Sequence, residues 1–227
     1  MLNFNHYNLQ HIQKAIERHS KGFIMNKTDY ERRYQNKEDY WGNEISKMAL
    51  RIPELFPPKA SKPKVLEIGC GEGTNAVFLA RSGYDVTSFD LSKTAVQKTA
   101  ELAEKHEQKL SVFVADINEF TSDKSFDVVF SSGTLQYLKP ENRCRFIDQI
   151  KQKTNLGGLH VLHTFANKSY ISTAPDAEAN EFLWTTGELL SLYQDWRIET
   201  FLEEIKKCNS GGIPHEHSHN RIWAKKI

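Results

Sequence analysis

Three groups of residues in this chain are typed and spaced for chemistry. Glycines stand at alternate positions in Val65-Leu-Glu-Ile-Gly-Cys-Gly-Glu-Gly-Thr-Asn75, namely Gly69, Gly71 and Gly73, between a short apolar run and a helical pattern. A residue without Cβ takes positive φ at little cost, so this corner can turn sharply and lie against a ligand. Strand, glycine turn and helix N-terminus together make a nucleotide-binding corner. Three carboxylates accompany it: Glu67 inside the apolar run, and Asp90 and Asp116 each closing a later one. The edge position of Glu67 suits a ligand with an ammonium group, Asp90 a ribose diol and Asp116 an amino group on a base. In the tail, His215, His217 and His219 recur at every second position. If extended they point to one side. That pattern serves a metal site, a proton acceptor near neutral pH or an oxyanion clamp, and equally a polar loop with local hydrogen bonds only. No residue is assigned to a metal.

Alternating elements must position these groups. Apolar runs at 64–68, 85–89, 110–114, 126–131 and 159–165 read as strands. Helical patterns at 75–81, from the Ser92 cap to about 106, and from Pro140 to about 153 lie between them. Gly157-Gly158 is expected to turn the chain into the fifth strand. Strands alternating with helices require a parallel sheet covered on both faces. In the tail, Thr185-x-x-Glu188 is a capping-box pattern opening a helix to about Tyr193. Residues 196–205 and 221–227 then alternate as strands with no helix between, an antiparallel hairpin whose loop carries the histidines. Residues 1–60 differ in texture, with helical patterns and aromatics, and end at Pro57-Pro-Lys-Ala-Ser-Lys-Pro63. The chain therefore divides into a helical leader or lid, 1–60, and a nucleotide-binding domain, 61–227.

Composition excludes several classes. With 227 residues and a net charge of +1, the chain has a sizeable core and no electrostatic footprint for nucleic acid or an anionic membrane. No stretch approaches the roughly 20 apolar residues of a spanning helix, and the start lacks a secretory pattern. Three scattered cysteines argue against a disulfide framework and for a reducing cytoplasm.

The glycine register decides which nucleotide fits. A dinucleotide fingerprint needs its third glycine one position later, where Thr74 stands, and continues its strand with an apolar residue where Glu67 lies. At these positions the chain resembles a family. Glu67-Ile-Gly-Cys-Gly-Glu-Gly73 matches the E/D-x-G-x-G-x-G motif of class I S-adenosylmethionine-dependent methyltransferases. Asp90-Leu91, Asp116-Ile117 and Phe126-Asp-Val-Val-Phe130 fall at the later motifs. The resemblance spans about residues 60–227. It implies an α/β Rossmann-like fold with a mostly parallel seven-stranded sheet, an antiparallel C-terminal strand and helices on both faces. It implies S-adenosyl-L-methionine as cofactor, with Glu67, Gly69, Gly71, Gly73 and Asn75 near its methionine part. Asp90 and Leu91 would hold the ribose, Asp116 and Ile117 the adenine, and Ser131 and Ser132 the floor.

The acceptor must be read elsewhere, because a fold does not name a substrate. The histidine tail, Leu135-Gln-Tyr-Leu138 and Tyr193-Gln-Asp-Trp196 resemble the tellurite-resistance, TehB-like subgroup. That likeness implies methyl transfer to a small molecule with a soft nucleophile such as tellurite, selenite or a thiol. His217 and His219 are the candidates for proton removal. Tyr34, Trp41, Tyr137, His163 and His215 are the candidates for acceptor contact. The leader aromatics Tyr30, Tyr34, Tyr40 and Trp41 read either as a lid over a sulfonium or as plain packing. His160 and His163 have opposite parity in one strand and belong to different faces. A macromolecule methyltransferase and a non-catalytic cofactor-binding module are the alternatives, and oligomeric state is open.

Overall fold

A computed structural model describes residues 27–35, 40, 42–174, 177, 181–209 and 213–227, with side chains from Glu31 onward. The strands are β1 (Lys64–Ile68), β2 (Asp85–Asp90), β3 (Ser111–Val114), β4 (Phe126–Ser132), β5 (Thr154–Ala166), β6 (Arg197–Cys208) and β7 (His215–Lys225). They form one seven-stranded sheet in the order β3-β2-β1-β4-β5-β7-β6. β1 pairs in parallel with both β2 and β4, and β4 with β5, while β7 runs antiparallel to β5 and β6. This is the architecture expected above. Because β1 leads to β2 on one side and β4 follows on the other, the strand order reverses at β1/β4. A crevice opens there at the carboxyl ends of the strands.

The described helices are α1 (Lys27–Tyr34), α2 (Lys47–Leu50), α3 (Ile52–Leu55), α4 (Thr74–Arg81), α5 (Lys93–Lys105), α6 (Arg143–Gln152) and α7 (Glu188–Ser191). Strand periodicity splits the core into two layers. Val65, Val128, Val161 and Trp223 face a cluster with Met48, Ile52, Ala76 and Leu79. Their neighbours Leu66, Val129, Leu162 and Ile222 face the opposite cluster with Phe146, Ile147, Trp184 and Tyr193. Such alternation in the central strands is what burial on both faces requires. Met48, Ala49 and Ile52 of the 1–60 segment are thus core residues, at 4%, 0% and 0% exposure. Among the described residues, no helix is long and apolar enough to cross a membrane.

Two boundaries differ from expectation. Gly157-Gly158 does not turn the chain. It lies inside β5, where Phe126 pairs with Thr154 and Val128 already with Leu159, so β5 absorbs the surplus residues as a bulge. The tail histidines do not form a loop. β7 begins at His215 because β6 continues to Cys208 and the two strands pair along their whole length. That end of the hairpin is polar on both sides, so backbone pairing maintains it without any apolar alternation.

Candidate functional site

The corner forms as its residues dictate. Gly69 N and Cys70 N both donate to the Phe89 carbonyl, at 2.9 and 3.0 Å, which ties the end of β1 to β2. Gly69 has φ +76°, and a Cβ there would lie 2.0 Å from Thr134 Oγ1. Gly73 caps α4 with φ +89°, and a Cβ would meet the Thr99 backbone at 2.8 Å. Glycine is required at both places by conformation and by close packing. Gly73 therefore serves the seating of α4 against α5 and is absent from the cavity wall.

The corner opens into a cavity of about 360 Å³, walled by the ends of β1, β2, β4 and β5 and by Tyr34, Gly42, Glu44 and Ser46. Gly69, Gly71, Asn75, Asp90, Leu91 and Asp116 are in this wall, as are Ile117 and Ser132. Asp90 Oδ2 accepts from Gly71 N and its Oδ1 from Ser92 N, each at 3.0 Å. Its carboxyl is nevertheless raised above the usual range, chiefly by burial, with these backbone bonds opposing. Asp116 Oδ1 accepts from Asn118 N and Nδ2 at 2.9 and 3.1 Å. Asn118 Nδ2 also donates to the Tyr137 carbonyl at 3.0 Å, locking the loop after β3 to the 135–137 turn. Asn75 Oδ1 accepts from Ser46 N at 2.9 Å, fastening the leader to α4.

Glu67 and Ser131 depart from the wall positions expected of them. Glu67 shares a sheet face with Val65, is 1% exposed, lies outside the wall, and has an Oε2 with no partner among the described residues. Burial, then repulsion from Asp90, pushes its carboxyl well above the usual range. The Ser131 hydroxyl turns inward and donates to the Ile68 carbonyl at 3.2 Å, joining β4 to β1.

Of the residues proposed to meet the acceptor, Tyr34, Tyr137 and His163 are in the wall. Tyr34 is 3% exposed. Helix α1 is seated by Glu31, whose carboxylate accepts from the Ser92 hydroxyl at 2.7 Å and from the Thr94 hydroxyl. Tyr137 donates to Glu181 Oε1 at 3.0 Å. Trp41 and the Tyr30 side chain lie outside the described residues, and Tyr40 is exposed. His215, His217 and His219 are all outside the wall. His219 stands directly behind it, its Nδ1 at 2.9 Å from His163 Nε2. Both histidines are held neutral, His163 well below 6.5 and His219 at about 4. Burial is the main cause for each, then the partner histidine for His163 and Arg221 for His219. His160 occupies the opposite face, bonded to Thr154 Oγ1 and Tyr193 OH at 2.7 Å each. Tyr193 and Trp196 pack around it and are core residues remote from the wall.

Sequence reasoning missed Glu44, Ser46, Thr134, Gln136 and Phe165 as wall residues. Gln136 is 2% exposed, with Nε2 donating to the Gly133 carbonyl and Oε1 without a partner among the described residues. Its place in the quoted Leu135-Gln-Tyr-Leu138 stretch was the available signal.

The family described as "Tellurite resistance protein TehB" matches residues 33–223. The chain belongs to the TehB family. It is 28% identical over 183 residues to the probable S-adenosyl-L-methionine-dependent methyltransferase TehB of Haemophilus influenzae, covering 79% of this chain and 63% of that relative. The TehB-family chain described here thus spans less than two thirds of that relative's length. The crystal structure of TehB from H. influenzae superposes with a TM-score of 0.73 at 25% identity, covering 85% of this chain and 68% of the other. The N-methyltransferase NodS from Bradyrhizobium japonicum WM9, in complex with S-adenosyl-L-homocysteine, superposes at 0.66 and 17% identity over 87% and 97% of the two chains. That likeness shows the Rossmann-like methyltransferase fold.

The wall fits the cofactor of that fold. Asp90 ends β2 and Asp116 follows the neighbouring β3, both with acceptor oxygens, and glycine backbone borders them. Glu44 adds further negative charge, Glu72 is paired with Lys98, and no Lys or Arg side chain is in the described wall. A sulfonium with an ammonium group is matched by the carboxylates of this lining.

Proposed function

We propose that this TehB-family chain is an S-adenosylmethionine-dependent methyltransferase whose acceptor is a small molecule with a soft, uncharged nucleophile, a thiol before an oxyanion. The observation that carries the reading is the acidic wall. Glu44, Asp90 and Asp116 face the cavity, Glu72 is balanced by Lys98 at 2.7 Å, and no described cation is present to hold tellurite or selenite.

The bound cofactor supplies a methyl group already activated on a cationic sulfur. The chain then has to align the acceptor and keep water out. Asp90 accepts from the ribose hydroxyls and Asp116 from the adenine amino group. Glu67, buried behind the corner and held protonated without cofactor, would ionise to meet the ammonium end. Helix α1 acts as a lid, with Tyr34 closing the cavity and Glu31 latching it to the start of α5. His163, kept neutral and backed by His219, is an acceptor of hydrogen bonds and a weak base. A base that weak suits a thiol, whose S–H is far more acidic than an alcohol's O–H, so that its proton is lost as the new S–CH3 bond forms and the cofactor's C–S bond breaks.

The test is binding plus transfer on the purified full chain. Calorimetry is expected to show S-adenosylmethionine binding, and the labelled cofactor is expected to methylate low-molecular-weight thiols faster than tellurite or selenite. Absence of cofactor binding overturns the enzyme assignment. Preference for the oxyanions overturns the thiol assignment alone. Labelling confined to added protein or RNA would move the acceptor to a macromolecule.

A further inference from the structure

The far end of the β6–β7 hairpin carries a second group of ligating side chains, separate from the cavity. Cys208 closes β6 directly opposite His215, which opens β7. His217 follows two residues along, on the same side of the strand. The Cys208 sulfur and one ring nitrogen from each histidine lie within 4.8 Å of one another, and all three side chains are half-buried. The Nε2 atoms of His215 and His217 are 2.9 Å apart, with the rings edge to face.

The protonation of His215 follows from its other contact. Its Nδ1 lies 2.7 Å from the Ile213 carbonyl oxygen. A carbonyl only accepts, so Nδ1 carries the proton and Nε2 presents a lone pair toward His217 and Cys208. A backbone carbonyl that fixes the tautomer in this way is the usual companion of a metal-ligating histidine. His219 continues the row but is turned to His163. The ligating set is therefore not the three histidines of the sequence pattern. The hairpin register replaces His219 with Cys208.

We propose that Cys208, His215 and His217 form a three-ligand site for a thiophilic d-block cation of the zinc(II) type, with a fourth position open to water or a thiol. Thiolate with imidazole selects zinc or copper over magnesium or calcium. Tetrahedral zinc would hold the nitrogen and sulfur donors about 3.3–3.6 Å apart, a spacing reached from the present one by small side-chain rotations. Lys206 lies across from His217 and pairs with Glu204 at 3.5 Å, and a thiolate adds negative charge at this end of the hairpin. A bound cation would clamp the two strand ends beside the loop that joins them.

The full chain, stripped of metal, is titrated with cobalt(II) as the spectroscopic probe. One cation per chain is expected to bring up thiolate-to-cobalt charge-transfer absorption and tetrahedral bands, reversed by zinc(II). Cys208→Ser is expected to lose the charge-transfer band while retaining cofactor binding, which reports its fold. His215→Gln is expected to weaken cobalt binding by about tenfold or more. Cys144→Ser is expected to change nothing. Absence of the band in the wild-type chain overturns the proposal. So does a band that survives Cys208→Ser, one that disappears with Cys144→Ser, or unaltered affinity in His215→Gln.

Discussion

His163 and His219 stack with an interplanar angle of 11° and join through Nε2 and Nδ1 at 2.9 Å, one from the cavity wall and one from the strand behind it. They come together because β5 and β7 pair Phe165 with His219 and His163 with Arg221. A neutral imidazole has one donor and one acceptor nitrogen, so the pair is satisfied only while at least one ring is unprotonated.

This pair makes folding pH-dependent. Both folded-state values are depressed, His219 to about 4. The unfolded chain takes up protons below about 6.5, and the folded chain resists until about 4. The contribution is complete above 6.5 and is lost as pH falls through that window. Urea midpoints measured from pH 7.5 to 4.5 should fall for the wild type, and less steeply for His219→Gln. Parallel profiles would remove the pair from this role.

Asp90 links the corner to the cofactor. Its two oxygens accept from Gly71 N and Ser92 N. Replacing it leaves those backbone donors unsatisfied and removes an acceptor from the wall, a loss of about 1–3 kcal/mol. Asp90→Ala should therefore weaken S-adenosylmethionine binding about 10- to 100-fold by calorimetry. Asp90→Asn should rescue little, because one amide position presents a donor to a donor.

The corner and its two outlying carboxylates were legible because their signals are local. An apolar run, a glycine turn and an acidic strand end each lie within a few residues. The destination of Glu67 was less so, since parity places it on the α4 face but not how far behind the cavity. The histidine row was placed in a loop and is a strand, which meets the condition under which its members share one side. Which of its members reaches the cavity depends on strand register, and Cys208 becomes their neighbour only through that register. Tyr34 gave no more than a composition signal. Its place in the wall comes with a latch between Glu31 and Ser92, 61 residues apart in the chain. The capping box was half right: Glu188 Oε2 does accept from Thr185 N at 2.8 Å, but the helix ends at Ser191 and Glu188 also pairs with Arg143.

That latch predicts a kinetic effect. Glu31 accepts from both the Ser92 and the Thr94 hydroxyls, and α1 carries Tyr34 into the wall. Glu31→Ala should loosen α1 by about 1–2 kcal/mol, since bonds to a charged acceptor are at stake. Stopped-flow release of S-adenosylmethionine should accelerate several-fold. Melting temperature should change little, because Met48 and Ile52 still anchor the following helices in the core. A large drop in melting temperature would mark α1 as structural support and not a lid.

Glu67 should behave oppositely in stability and in binding. It is 1% exposed, its Oε2 has no partner among the described residues, and its carboxyl is held well above the ordinary value by burial and then by Asp90. A raised folded-state value means the contribution is complete below the unfolded value of about 4.5 and is lost as pH rises through the folded one. Glu67→Gln removes that loss. The cofactor-free variant should be more stable than wild type at pH 7, and the gain should shrink toward pH 4.5. Its affinity for S-adenosylmethionine should fall, because Gln cannot give up a proton to meet the ammonium end as Glu67 would. Urea unfolding at both pH values, with and without cofactor, separates the two effects. A variant less stable than wild type at pH 7 without cofactor would show that the carboxylate already has its counter-charge inside the protein.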